Sequence, residues 1–251
     1  MLSGFTMSQQ TNPVQYNNWG TSNSYIIGSS VTALGTLLSL ATKKPLEITP
    51  QVGPSINWLN SNQELNQFLQ SVGTTTNTLS GYSAGIMITK PSGNMLYKSG
   101  VFIESKGGSY SNNSYFIMTD NQGNPSLVKA NLTGYSRLNY ITIPISLGIQ
   151  TTGRIRLSFD MGTFISLPIS ETHRTTFNGI TSDIEPMAKI GPNIGVLANT
   201  NIKIPLNEKL DVSLDTRFLS SITEAMKDQI GKSFNQSVQI LIGLNIKLNN
   251  N

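Results

Sequence analysis

The stretch Leu138–Leu167 constrains this chain most, because apolar and polar residues trade places along it at almost every step. Ile141, Ile143, Ile145, Leu147 and Ile149 share one parity, with Thr142, Pro144, Ser146, Gly148 and Gln150 between them. After a break at Gln150-Thr151-Thr152-Gly153 the pattern resumes. Ile155, Leu157, Phe159, Met161, Ile165 and Leu167 then stand against Arg154, Arg156, Ser158, Asp160, Gly162 and Ser166. A period of two means β-strand, since successive side chains leave opposite faces, and two such runs across a short glycine-containing break make a hairpin. Each run is about twice the usual five or six residues. A tilted strand needs that length to cross a bilayer.

Composition narrows what that hairpin can belong to. A chain of 251 residues suggests one domain, built as a single large sheet. Only 12% of its residues are charged, where soluble domains average nearer about a quarter. A low charge fraction fits an outer surface that faces lipid, and also a virion or fibre protein rich in Ser, Thr and Asn. A membrane-crossing helix needs about 20 consecutive apolar residues. The nearest segment, Tyr25–Ala41, is interrupted by Gly28, Ser29, Ser30, Thr32, Gly35, Thr36 and Ser39. Without cysteine there is no disulfide frame, thiolate metal site or Cys nucleophile. The net charge is +4, but Lys and Arg are scattered singly, so no nucleic-acid partner is expected. Met1–Gln10 has neither the basic start nor the apolar stretch of a signal peptide. Processing ahead of Met1 and a reading without a membrane both stay open on that point.

Taken in order, residues 1–45 read as an N-terminal extension. Its apolar segment Tyr25–Ala41 fits an extra strand or a short helix equally well. Residues 46–248 read as the barrel domain. Leu46, Ile48, Val52, Ile56 and Trp58 alternate with Glu47, Thr49, Gln51, Gly53, Ser55 and Asn57. Asn62–Val72 breaks the period, and Leu65, Phe68, Leu69 and Val72 predict a short amphipathic helix. Tyr82–Thr89 and Met95–Ser105 predict a hairpin about Pro91-Ser92-Gly93-Asn94. Gly107–Arg137 reads as a long polar stretch with a small hairpin inside it, Ser114–Met118 against Ser126–Ala130. Pro168–Pro186 reads as a loop. Ala188–Ile204, Leu210–Phe218 and Ser237–Leu248 alternate as further strands, with a helix expected at Ile222–Ile230.

About eight long sequential strands, or ten if the extension adds to them, predict an all-β, up-and-down antiparallel transmembrane barrel with short helices in its loops. Closure removes exposed strand edges. Breaks after Lys90, Gln150 and Pro205 are short, while those after Trp58, Lys106, Leu167 and Leu219 are long. Outer-membrane barrels have this asymmetry. Aromatic residues at the long-loop end, Trp58, Tyr82, Tyr140, Phe164, Phe218 and Phe234, are expected to form a girdle at the lipid boundary. The polar parity carries both charge signs. Glu47, Glu104, Asp160, Asp211 and Asp215 are expected to pair with Lys98, Arg154, Arg156, Lys189, Lys203, Arg217 and Lys247 in the lumen, as burial requires. An eight-strand lumen is filled by side chains, so a wide pore is not expected.

Several segments carry a resemblance: GYSAGIMITKPSGNMLYKSGVFIESKGGSY, LNYITIPISLGI, RLSFDMGTFISLPIS, IGPNIGVLANTNIKIPLNEKLDVSLDTRFL and VQILIGLNIKL. The pattern Y-x-x-I-P-[IL] at Tyr140–Ile145 and the strand–glycine–strand pattern at Ile190–Ile204 carry it most. Over roughly Leu46–Leu248 the chain resembles the outer-membrane β-barrel family widespread in Bacteroidota, which includes the PorT-like proteins. The resemblance implies a place in a bacterial outer membrane and contact with its lipid. It also implies a role as scaffold, anchor or accessory subunit of an envelope complex, type IX secretion or gliding machinery among the candidates. Other envelope proteins would be contacted through the long loops. The chain departs from the family in its N-terminal extension and in ending on Leu248 and an Asn tail.

One group could carry chemistry. His173 lies in Ser170-Glu171-Thr172-His173-Arg174-Thr175, and a rim hydrolase could be drawn from His173, Glu171 and Ser170. Triads are defined by geometry and not by sequence neighbours, so the expectation is a solvated loop histidine and no enzyme. No His, Asp and Glu spacing suits a metal, and no cofactor is expected. A soluble β-rich virion or appendage protein is the third reading, and it requires the isoleucine faces to pack inward.

Overall fold

A computed structural model describes residues 46–119, 125–183, 189–227 and 232–248. The expected N-terminal extension at 1–45, with Tyr25–Ala41, lies outside the described residues. In chain order the elements are β1 (Leu46–Ser61), helix α1 (Gln63–Ser71), β2 (Thr74–Asn77), β3 (Leu79–Ser92), β4 (Met95–Thr119), β5 (Pro125–Gln150) and β6 (Arg156–Phe177). After these come β7 (Ile180–Asp183), β8 (Lys189–Ile190), β9 (Asn193–Pro205), β10 (Leu210–Ser221), β11 (Met226–Lys227) and β12 (Lys232–Leu248). Eight of the strands, β1, β3, β4, β5, β6, β9, β10 and β12, pair antiparallel in that order. β12 returns to β1, with Val52 opposite Ile242, and closes the ring. Closure satisfies every ladder without leaving an edge, which a sheet surrounded by hydrocarbon must do.

The alternation decides which way the ring faces. On β10 Asp211, Ser213, Asp215, Arg217, Leu219 and Ser221 are buried, while Leu214 and Phe218 of the other parity are exposed. On β12 Gln239, Leu241 and Asn245 are buried, and Ile240, Ile242 and Leu244 are exposed. The isoleucine faces therefore point outward, the reverse of a soluble β-core, and this removes the virion or appendage reading. The outward parity of β5 marks where the apolar belt stops. Ile141, Ile145, Leu147 and Ile149 are exposed and apolar, whereas Asn139, Arg137, Tyr135 and Thr133 continue the same face with polar groups. Nine residues, 141 to 149, match the nine to eleven that a tilted strand needs to cross hydrocarbon.

The ends of the ring differ. At one end Gly93-Asn94 closes the β3–β4 hairpin with Gly93 at φ 63. Pro205 and Asp211 pair across the β9–β10 turn. At the other end β4, β5 and β6 run on past the belt. β2 adds to β4, and β7 adds to β6 through the turn Asn178-Gly179, both residues at positive φ (47 and 85). The result is a five-stranded blade in the order β2-β4-β5-β6-β7. From Lys106 to its tip β4 extends roughly 40 Å at about 3.3 Å per residue.

The blade corrects the expected loops. Gly107–Arg137 forms strand throughout except at 120–124, which lie outside the described residues, and the small hairpin is simply the tip of β4 and β5. β6 likewise continues to Phe177 where a loop was expected. Above the lipid both faces meet water, so the sequence loses the contrast that reveals a strand. The Asn-Gly pair at 178–179 was nonetheless a legible hairpin signal. The helix expected at Ile222–Ile230 does not form at 222–227. The amides of Ile222 and Thr223 bond to the Ile194 carbonyl and that of Ala225 to Ser233, so they leave for neighbouring chain segments and Met226–Lys227 becomes β11. The helix expected at Asn62–Val72 is α1, capped by the Asn62 side chain accepting from the Leu65 amide at 3.2 Å.

Candidate functional site

The inward parity of the ring brings together charges from six strands. Nearest the short turns, Glu47 on β1 is held by Lys203 of β9 and by Arg156 of β6 at 3.2 Å. Arg156 also pairs with Asp211 of β10, and Asp211 with Lys247 of β12 at 2.7 Å. In the middle, Lys98 donates to Asp160 at 2.5 Å, and Ser146 and Asn199 donate to the same carboxylate at 2.8 and 3.0 Å. Asp215 accepts from Asn199 at 3.1 Å and from the Gln51 amide at 2.6 Å. The oxygen of that amide accepts from Arg217 at 3.2 Å, so Gln51 joins Asp215 to Arg217 as a relayed ion pair. Towards the blade, Glu104 receives Lys106 at 2.8 Å, Thr142 at 2.6 Å and Gln239 at 2.9 Å.

Each of these five carboxylates thus has a cation beside it or one amide away. A desolvated charge persists only when it is paired and its remaining bonding capacity is met. Apolar groups fill what the charges leave. Met87, Phe102 and Leu241 cluster, and the Arg217 guanidinium lies 4.4 Å from the Phe102 ring. Phe164 packs with Leu197 and Leu219, and its ring sits 4.6 Å from the Lys106 ammonium. Glycines make the room: a Cβ on Gly85 or Gly195 would come within 2.7 or 2.6 Å of the Phe102 or Phe164 ring. Glu104, Asp160 and Arg217 in the middle of the lumen are buried, at 0%, 1% and 1% exposure.

Some expected residues stand elsewhere. Arg154 lies in the exposed turn between β5 and β6 and is in none of the lumen ion pairs, because a turn residue has no inner face to follow. The side chain of Lys189 is outside the described residues. Lys106 was missing from the expected set, although it shares the parity of Lys98 and Glu104. Two of the girdle residues are inside. Tyr140 has the parity of Thr142 and Phe164 that of Asp160, and both are buried, Tyr140 accepting from Asn235 at 3.3 Å. Strand parity, and not height along the axis, sets which face an aromatic ring takes. Trp58, Tyr82, Phe218 and Phe234 remain on the outer parity, with Trp58 and Phe218 at 6.4 Å between ring centroids.

His173 sits on the blade face that continues the inner side. Ser136, and not Ser170, is its neighbour, with Oγ 2.9 Å from Nδ1, while Glu171 lies 3.6 Å from Nε2. Ser170 instead accepts from Asn139. Among the described residues no group of three His, Asp or Glu is placed to hold a metal ion.

A closed eight-strand antiparallel ring, apolar outside, charge-filled inside, with short turns at one end and long strand extensions at the other, defines an outer-membrane β-barrel protein. No protein-family model matches the chain, and no curated protein does. Several solved structures of small barrels are similar to it. The outer membrane protein OprG from Pseudomonas aeruginosa is 11% identical, covering 83% of this chain and 98% of its own, with a TM-score of 0.42. Neisserial surface protein A is 11% identical over 80% and 97%, with a TM-score of 0.36. The outer membrane protease OmpT from Escherichia coli is 4% identical over 83% and 98%, with a TM-score of 0.36. Similarity of this degree says nothing of a shared ligand or activity.

Proposed function

We propose that the protein is a non-enzymatic anchor or accessory subunit of an envelope complex in a bacterial outer membrane. The barrel is its foot in the lipid, and the blade with the neighbouring long connections is its contact surface. One observation carries this reading: the lumen is filled by paired charges, while the strands that outlast the membrane are spent on an external sheet. A transport protein would need a path through the ring, and an eight-strand ring filled in this way offers none. The resemblance to Bacteroidota barrels of the PorT-like group makes type IX secretion or gliding machinery the first complex to examine. Purification in mild detergent tests the proposal. The protein is expected to migrate faster on gels unheated than heated, to carry a stoichiometric envelope partner, and to give no steady conductance in planar bilayers. Steady ion conductance by the purified protein would overturn it.

A second reading is suggested by the Ser136–His173 hydrogen bond, with Glu171 beyond it 3.6 Å from Nε2: the order of a serine hydrolase with the two ring nitrogens exchanged, but without the carboxylate–imidazole hydrogen bond. A hydrolase also needs donors aimed at the developing oxyanion. Treatment with a fluorophosphonate probe separates the readings. The anchor reading expects no adduct at Ser136, and a labelled Ser136 lost in His173→Ala would replace it.

A further inference from the structure

The outer face of the blade carries two complete rows of polar side chains, fixed by the strand register. In one, Asn77, Ser109, Tyr135, Arg174 and Asp183 lie side by side on β2, β4, β5, β6 and β7. In the next, Thr75, Ser111, Thr133, Thr176 and Thr181 do the same, so five strands present five hydroxyls. Direct contacts hold the rows flat. Asn77 donates to Ser111 at 3.3 Å, the Thr176 and Thr181 hydroxyls are 2.9 Å apart, and Arg174 grips Asp183 through Nε at 2.7 Å. Between the rows lies a shallow concavity of about 430 Å³, lined among others by Asn77, Ser111, Thr133, Tyr135, Arg174 and Thr181. Arg137 stands beside it, its guanidinium 5.5 Å from the Tyr135 ring.

This face differs from the opposite one, where the Tyr110 hydroxyl reaches Thr175 at 2.6 Å and the ring lies across Gly134. There the Tyr110 and Thr175 hydroxyls satisfy one another. On the outer face the hydroxyl row remains half-exposed or exposed and aims away from the barrel axis. Its place relative to the lipid is set by β5. Tyr135 and Thr133 share the parity of Ile141, the last belt residue, and stand roughly 20 and 26 Å above it along the strand. They therefore look sideways over the membrane at the height of a large headgroup.

We infer that this face binds the oligosaccharide headgroup of an outer-leaflet glycolipid standing beside the barrel. Hydroxyls and amides at strand spacing can donate to and accept from sugar hydroxyls. The Tyr135 ring offers an apolar plate to a pyranose face, and Arg137 suits an anionic substituent. Five strands at about 4.8 Å give a track of roughly 19 Å, long enough for several sugar rings. The sideways aim over the lipid favours a lipid-borne glycan over a soluble one, which would be met equally well from above.

The inference rests on the outer-membrane reading, and the test separates the two. The protein is reconstituted in phosphatidylcholine nanodiscs with a minor fraction of lipopolysaccharide, and glycolipid retained per barrel is measured by native mass spectrometry. Failure to insert and to show heat-modifiable migration would count against the barrel reading alone. Inserted wild type is expected to retain lipopolysaccharide. Tyr135→Ala with Thr133→Val and Thr176→Val is expected to retain it roughly tenfold more weakly, and Thr133→Ser with Thr176→Ser to retain it as wild type does. Amide exchange across β4–β6 checks that the valine variant keeps its blade. Equal retention by the valine variant and wild type would overturn the inference. So would equal retention of lipid A without the core oligosaccharide, or binding of the released core oligosaccharide as tight as that of the whole glycolipid.

Discussion

The ring below Ile141 and the blade above Asn139 are one continuous sheet made by the same β5 strand, yet they obey opposite rules. Below, the strands separate apolar from polar and charged side chains, the edges are closed, and the central charges Glu104, Asp160 and Arg217 are buried. Above, the outer face from Thr133 to Arg137 is polar, β2 and β7 are the outermost strands among the described residues, and the ion pair Arg174–Asp183 lies in water. The difference is set by the solvent. Hydrocarbon forbids an unpaired backbone group and an unpaired charge, whereas water tolerates both. The same chemical change should therefore have very different consequences in the two halves.

The sharpest contrast concerns ion pairs. Asp160→Ala strands the Lys98 ammonium in the lumen and is expected to cost about 3–5 kcal/mol in reversible urea unfolding from lipid vesicles. Joint replacement Lys98→Met with Asp160→Leu should recover most of it. Asp183→Ala on the blade should leave the same midpoint unmoved, and a comparable loss there would erase the distinction. Next comes the outer face. Ile242, 61% exposed and opposite Val52, stands near the middle of the belt. Ile242→Arg should lose about 2–4 kcal/mol and slow assembly, while Thr133→Arg should stay within about 0.5 kcal/mol.

Packing gives a smaller contrast. Gly195→Ala drives a methyl into the Phe164 ring and the Ser220 carbonyl at 2.2 Å, with an expected cost of about 1–3 kcal/mol. Gly191→Ala, with nothing within 4 Å, should be silent in the same unfolding assay. The smallest effect is one of pH. Arg174 holds the Asp183 carboxyl below its ordinary range by a direct hydrogen bond and by its charge. A depressed carboxyl stabilises the folded form above the unfolded-state value, about 3.9, and loses that contribution as pH falls through its lower folded value. Protection of the β7 amides relative to their intrinsic exchange rate should fall over that acid window. Arg174→Ala should remove the dependence, and heat-modifiable migration of the barrel should not change across it.

Much of the ring was legible. Ile141–Ile149 and Val238–Leu248 announce their strands because lipid on one side and charges on the other give each residue a single acceptable face. Glu47, Asp160 and Arg217 could be placed inside from parity alone. Parity also contains the positions of Tyr140 and Phe164, which height along the barrel would place in the girdle, and of Lys106, which shares the face of Lys98 and Glu104 but was absent from the expected pairs. The blade was hidden for a physical reason: Ser109, Ser111, Thr133 and Thr176 face water, so nothing in their order marks them as strand, and only the Asn178-Gly179 turn betrays a hairpin.

What the sequence determined by itself is the sidedness of this protein. A strict two-residue period, carried over more residues than a soluble strand uses, leaves one consistent solution in which isoleucine meets lipid and charge meets charge. The partners of those charges were left to the closed ring. That Gln51 should join Asp215 to Arg217, or Ser136 rather than Ser170 meet His173, depends on register between strands distant in the chain. Register is set by closure and by the β5–β6 irregularity at Asn139/Tyr140, neither of which any local pattern encodes.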